Sequence, residues 1–186
     1  MFQLSIELFD TKDKKVVWSD RWQEKWDNLP TIKSKLSDGL LKVLNLNSGN
    51  KQKVEAYDAD AYKFYLEAKY KHSKRKKRQD IEDVKKMLKK VLNIDDNLIE
   101  AILLLGVIQM QLGFPDKSKK YYLNALEKAK NNQDNLGYAK AMFRLGTIYA
   151  FKGDWIGAKP YFKKAFKIQR KIDDIKGMTD SLCGLG

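Results

Sequence analysis

A mainly α-helical chain, a solenoid of stacked helical hairpins preceded by a β-hairpin plus helix, is predicted by three features of the sequence. The first is a Leu-Gly pair that recurs every forty residues, at Leu105–Gly106, Leu145–Gly146 and Leu185–Gly186. The second is the set of residues that travels with it. Ile102, Met142 and Leu182 stand four places before each glycine, and Gly113 and Gly153 seven places after the first two. Ser118/Ala158, Tyr122/Phe162 and Ala125/Ala165 follow at twelve, sixteen and nineteen. The third is the opening alternation of Phe2, Leu4, Ile6 and Leu8 with Gln3, Ser5 and Glu7, which has the period of a strand. A glycine inside a helix costs about 1 kcal/mol relative to alanine. Repeating it in register is reasonable if each glycine lets a second helix approach, with the small and aromatic residues at +12, +16 and +19 on that partner.

Taken in order, Phe2 to Phe9 is an edge strand, Asp10 to Lys14 a polar turn and Lys15 to Ser19 a return strand. An isolated hairpin is marginal in water and needs something to lie on. Asn28-Leu29-Pro30 opens a helix, with proline tolerated in the first turn, and Ile32, Leu36, Leu40, Val43 and Leu44 follow at helical spacing. Asn45 to Lys53 is a linker. A degenerate hairpin follows, with Tyr57, Ala61, Phe64, Tyr65 and Ala68 on one helix face and Ile81, Val84, Leu88, Val91 and Leu92 on the next. Between them Lys69 to Arg78 is a dense basic run, expected as an exposed inter-helix loop that also carries His72. Asn97 is placed to cap a helix from Leu98 to Leu112, closed by Gly113, and Pro115 suits the first turn of its partner. Another first helix reads Leu136 to Lys152, closed by Gly153, and Asp154 is a good cap for the helix from Trp155. Pro160 falls beyond that helix's first turn, where a kink is expected.

The block Leu145-Gly146-Thr147-Ile148-Tyr149, Gly153-Asp154-Trp155, Ala158, Tyr161-Phe162 and Ala165 resembles the tetratricopeptide repeat. The usual repeat has about 34 residues, so the spacing of forty implies longer helices or longer connections. The start of the chain resembles something else. Leu8-Phe9-Asp10, Val17-Trp18-Ser19-Asp20-Arg21-Trp22 and Ile32 to Leu44 look like the closing strands and helix of the TolB-like domain. Trp22 stands where that pattern more often has tyrosine. Ala61-Tyr62, Tyr65-Leu66, Ala68 and Tyr70 resemble the segment joining that domain to the first repeat. TolB-like domains precede tetratricopeptide repeats in bacterial class III adenylate or guanylate cyclases and in some transcriptional regulators. The resemblance implies a partial α/β segment over 1–52 and about three repeats, plus the start of a further one, over 53–186. Met1 falls just before the penultimate strand of the pattern and Gly186 inside a repeat helix, so a fragment of a longer bacterial protein, or a truncated relative, is expected.

Several kinds of chemistry are poorly served. His72 and Cys183 are the only histidine and cysteine, too few for a zinc site of His and Cys ligands. Cys183 is expected as a small buried residue. No glycine-rich phosphate loop follows a strand, and Asp95-Asp96 and Asp173-Asp174 punctuate helices. No catalytic residue, metal or cofactor is assigned, and the expectation is not an enzyme. No apolar run approaches the ~18 residues of a membrane span. With neither signal-peptide pattern nor disulfide framework, a cytoplasmic protein is expected. The net charge of +13 comes almost wholly from lysine, with arginine at only five positions. Nucleic-acid sites draw heavily on the arginine fork, so a solvated surface is the reading preferred.

The expected function is a non-catalytic interaction module in a cyclase or signalling protein. The repeat resemblance places Leu103, Val107, Met110, Lys140, Phe143, Arg144, Thr147 and Phe151 along a concave groove for a peptide or helix. The apolar floor and basic rim suit a mildly acidic amphipathic segment. The alternative is nucleic-acid or acidic-surface binding through the lysine-rich face and the basic patch of Lys71, Lys74, Arg75, Lys76, Lys77 and Arg78. Self-association is expected through the Phe2–Phe9 edge or the Met178–Leu185 face, because open strand edges and bare apolar faces drive such contacts.

Overall fold

The computed structural model describes residues 2–10, 15–24, 36 and 58–186. The predicted turn at 11–14, the linker, Tyr57 and all of the predicted helix from Ile32 except Leu36 lie outside them. The chain divides into two compact units, Met1–Lys63 and Phe64–Gly186.

In the first unit, β1 (Phe2–Asp10) pairs antiparallel with β2 (Lys15–Glu24). The return strand is longer than the alternation of Val17 and Ser19 suggested. The register sets Leu4 opposite Trp22, Ile6 opposite Asp20 and Leu8 opposite Trp18, with an irregularity between Leu8 and Phe9. Trp18, Asp20 and Trp22 therefore share the face of Leu4, Ile6 and Leu8, since side chains alternate along a strand. The two indole rings lie 6.3 Å apart and Trp22 is buried. On the other face Arg21 Nε donates to Ser5 Oγ at 3.1 Å.

Seven helices are described: α1 (Ala59–Lys74), α2 (Arg78–Ile94), α3 (Ile99–Gln111), α4 (Pro115–Asn131), α5 (Asn135–Phe151), α6 (Trp155–Lys171) and α7 (Ile175–Cys183). From α3 onward a single turn design repeats. Each helix is followed by three residues, and the middle one has positive φ: Gly113 (85°), Gln133 (57°), Gly153 (79°) and Asp173 (55°). The next N–H then reaches back five residues, as in Phe114 to Gln109 (2.8 Å), Asp134 to Ala129 (2.9 Å), Asp154 to Tyr149 (3.0 Å) and Asp174 to Gln169 (2.9 Å). This is the Schellman closure, which satisfies the carbonyls a helix end would orphan. The residue after the turn begins the next helix: Asp134, Asp154 and Asp174 each accept the N–H of a glycine three places on, at 2.9, 2.8 and 3.0 Å. Seventeen-residue helices on three-residue turns account for the long repeat. The helices are long; the connections are not.

The core is made where the repeating glycines predicted it. Gly106 and Gly146 are buried beneath the rings of Tyr122 and Phe162. Ser118, Ala158, Ala125 and Ala165 are fully buried beside them, and Ser118 Oγ donates to the Gly106 carbonyl at 2.7 Å. Ile99, Ile102, Leu103, Ala129, Ala141, Leu145 and Ile148 complete the central cluster.

Five sequence expectations are corrected. The cap of α3 is Leu98 rather than Asn97; the Asn97 side chain instead accepts Lys128 Nζ at 3.0 Å. The basic run is largely helical: Lys71, His72 and Lys74 end α1, Arg78 starts α2, and only 75–77 connect them. Cys183 is exposed, as is Leu182 at 52%, although Ile102 and Met142 at the equivalent positions are buried. Leu185 and Gly186 fall in a turn after α7, both N–H groups on the Leu182 carbonyl, rather than in mid-helix. The Phe64 ring, expected on the packed face of α1, is 40% exposed, while Ala61, Tyr65 and Ala68 are buried. Through Pro160, α6 continues without a break.

Candidate binding groove

The odd-numbered helices α3, α5 and α7 present their free faces along one side of the solenoid. Two cavities lie there and share Phe143. The first, about 450 Å³, is lined by Leu103, Leu104 and Val107 of α3, Leu136, Lys140, Phe143 and Arg144 of α5, and Lys176 and Asp180 of α7. The second, about 460 Å³, is lined by Phe143, Thr147, Ala150, Phe151, Trp155, Asp180 and Cys183. Of the groove residues predicted from sequence, only Met110 lines neither cavity. It is half-buried and packs against the central core instead. Leu103 does both, at 8% exposure lining the cavity as part of the core.

The apolar lining is uneven. Phe143 is anchored, its ring 5.5 Å from that of Phe162 and 5.8 Å from the Arg144 guanidinium. Phe151 and Trp155 are 71% and 63% exposed, large rings offered to solvent at one end. The rim is not basic as the repeat register suggested. Lys140, Arg144 and Lys176 are matched by Glu100, Asp174 and Asp180, and Glu100 Oε2 is buried with no hydrogen-bond partner. Glu100 stands on the α3 face that the helical register gives to Leu103 and Val107, whereas Asp174 and Asp180 come from the cap and body of α7, which a comparison of α3 with α5 does not reach.

Arg144 has a second neighbour. The Tyr122 hydroxyl is pushed above its ordinary pKa by burial, against the smaller opposing effects of Ser118 and Arg144. The ring that closes over Gly106 is thus held neutral.

The basic patch is a separate surface. Lys71, Lys74, Arg75, Lys76, Lys77 and Arg78 are all exposed. The Asp80 carboxylate accepts the N–H groups of Lys76 and Lys77 at 2.8 and 2.9 Å, and those bonds hold its pKa below the ordinary value. Lys74 Nζ lies 5.9 Å from the Tyr70 ring, and His72 meets Gln111 Oε1 at 3.0 Å. Among the described residues no cluster of three His, Cys, Asp or Glu is gathered to hold a metal, and no helix is long and apolar enough to cross a membrane.

Residues 98–171 match the family model of the tetratricopeptide repeat, a span that runs from the cap of α3 to the last residue of α6. No curated protein matches the chain significantly. Among solved structures, the chain is similar to a Signal Transduction ATPase with Numerous Domains (STAND) protein with a tetratricopeptide repeat sensor from Pyrococcus horikoshii. The identity is 21% and the TM-score 0.56, over 87% of this chain and 27% of the archaeal one. At that identity the likeness is one of fold, and this chain spans about a quarter of its neighbour's length. The hairpins α3–α4 and α5–α6 are the part of the chain that matches the tetratricopeptide repeat model.

Proposed function

We propose that the groove of α3, α5 and α7 captures a segment of a protein partner, making the solenoid an interaction module rather than a catalyst. The observation that carries this is the exposure of Phe151 and Trp155 beside a cavity that already has an apolar floor at Val107 and Phe143. The rim of three bases and three acids favours a segment with apolar anchors and charges of both signs over a uniformly acidic one. The resemblance of 1–52 to the end of a TolB-like domain supports a place in the cytoplasmic regulatory region of a bacterial cyclase or signalling protein. The test is a peptide-library selection on the intact chain, repeated with Val107→Glu and Phe151→Glu. A central apolar anchor typically carries about 2 kcal/mol or more of binding. Either variant should therefore abolish capture while leaving the melting temperature within a few degrees. Unfolding by both would make these residues core and remove the groove.

A second contact surface is favoured by Ile175 and Leu182, 73% and 52% exposed on α7. Apolar groups of this size, two turns apart on one helix face, suit association with another copy or another segment. Sedimentation of Leu182→Glu against the parent chain, over a wide concentration range, tests it; identical monomeric behaviour of both would remove it.

A further inference from the structure

A third cavity, of about 410 Å³, shares no residue with the groove. It lies among α2, α3 and α4, with Lys85, Lys89, Lys117 and Lys120 around it, Asn124 at its side and Gln109 lining it from α3. No acidic side chain lines it. Lys85 is already tied to Glu82 at 3.0 Å, and Lys117 lies 4.5 Å from the Phe114 ring. Lys89 and Lys120 are exposed, with no carboxylate paired to them among the described residues. Gln109 is 3% exposed, and its Oε1 has no hydrogen-bond partner. A buried polar atom left unpaired costs about 1–3 kcal/mol, so packing alone gives no reason for a glutamine here.

The next groove along the chain, of α4, α5 and α6, supplies an internal comparison. Forty residues beyond Gln109 stands Tyr149, whose ring stacks on Tyr161 at 5.1 Å and whose hydroxyl accepts Lys119 Nζ at 3.2 Å. Forty beyond Lys117 and Lys120 stand Gly157 and Pro160. Where the repeat is closed by a tyrosine, the counterparts of Lys117 and Lys120 are absent and Lys119 is engaged by the tyrosine itself; where a glutamine leaves it open, four lysines surround the opening. The two differences occur together at one place.

We infer that the Gln109 cavity binds a small phosphate ester with free hydroxyls, of the sugar-phosphate or polyol-phosphate class. The ammonium groups take the phosphate oxygens as charge-assisted hydrogen bonds. The orphan Gln109 oxygen needs a donor, which a ligand hydroxyl supplies and a bare phosphate chain does not. The Asn124 amide can serve either kind of group. The volume falls in the small-molecule range of roughly 300–1,000 Å³, so a compact ligand rather than a macromolecule is the occupant.

The test is calorimetric titration of the whole chain with fructose 1,6-bisphosphate and with inorganic pyrophosphate at one ionic strength. The ester should bind at least tenfold tighter. Lys89→Ala/Lys120→Ala should weaken it tenfold or more, while Lys163→Ala/Lys167→Ala on the exposed face of α6 changes it less than twofold. Gln109→Leu should bring the ester down to the pyrophosphate value. Gln109→Tyr, the residue the next repeat uses, should close the cavity and abolish binding; the lysine pairs carry the test should either Gln109 variant fail to fold. Equal losses from the two lysine pairs would mean diffuse attraction and overturn the site. So would pyrophosphate binding as tightly as the ester, an acidic glutamate peptide outcompeting it, or no saturation below ~10 mM.

Discussion

A Cβ built on Gly146 would stand 2.7 Å from Cε1 of Phe162, inside the ring's own contact distance. At the equivalent crossing, a Cβ on Gly106 would stand 2.2 Å from Tyr122 Cε1. Each aromatic ring occupies the space where a side chain would otherwise be, which explains why the repeat tolerates a helix breaker at its centre. Gly106→Ala gains about 1 kcal/mol of helix propensity but forces the buried Tyr122 ring to move. The net effect is expected to be destabilising. Gly146→Leu should cost about 1–3 kcal/mol or more, the usual range for overpacking. Urea midpoints measure both, and a midpoint unmoved by Gly146→Leu would sink the close-crossing account.

The turns allow an opposite experiment. Gly113 and Gly153 hold the left-handed position after α3 and α5, but Gln133 and Asp173 hold it after α4 and α6. A side chain there costs roughly 1–2 kcal/mol, partly offset by the greater freedom glycine has in the unfolded chain. Gln133→Gly and Asp173→Gly should each stabilise by about 0.5 kcal/mol, and Gly153→Ala, which meets no atom within 4 Å, should destabilise through backbone strain alone. Thermal melts of the three variants decide it; a lower melting temperature for Gln133→Gly would contradict the strain argument.

This turn design marks the limit of what the sequence made legible. The forty-residue period was visible because Leu-Gly and the aromatic at +16 are rare types in strict register. Inside it lies a period of twenty, carried by Asp134-x-x-Gly137, Asp154-x-x-Gly157 and Asp174-x-x-Gly177. That signal was readable too, since an aspartate cap with a glycine three places on is a local motif. It was hidden because successive helices differ on their packed faces and share only their starts. For the groove, helical register alone located Val107, Phe143 and Phe151. It could not see that Met110 packs against the core without lining either cavity, nor that Asp180 approaches from α7. The helical register sets Gln109 on the packed face of α3 with Ile102 and Leu105, but only its burial without a partner marks it as a site residue.

The neutral Tyr122 gives the fold an alkaline limit. Its folded pKa is raised above 10.0 by burial, so its contribution is fully present below the unfolded value and is lost as pH rises through the folded one. Tyr149 is lowered by hydrogen bonds with Tyr161 and then Lys119, while Tyr161 is raised by that same bond, so this pair also titrates in the alkaline range. The diagnostic quantity is therefore the difference between the parent chain and Tyr122→Phe. That difference should be flat at neutral pH and should shift in favour of the variant above about pH 10, the reference pKa of tyrosine. Denaturant titrations at pH 7 and at several higher values test this. A difference independent of pH would mean that the hydroxyl is solvated in the folded state.

Gln169 and Ser181 form a buried polar pair where the preceding repeat has Ala129 and Ala141, forty residues earlier. With its amide nitrogen turned toward Gly177, Gln169 donates to the Gly177 carbonyl at 2.9 Å and to Ser181 Oγ at 2.7 Å. Removing one member of such a pair leaves the other buried and unsatisfied, at a cost of about 1–3 kcal/mol. Ser181→Ala should therefore destabilise the α6–α7 packing. Replacing both with alanine restores the apolar pair that packs the preceding repeat, and apolar replacement of both partners is often near neutral. The cavity left by the longer glutamine side chain works against full recovery, because Ala129 faces neighbours already fitted to its size. The expected result is a double variant less destabilised than the sum of the single ones, with a coupling of about 0.5–3 kcal/mol, the range for residues in direct contact. Strict additivity in a double-mutant cycle would show that the two side chains do not support each other, and that α7 is held to α6 by its apolar contacts alone.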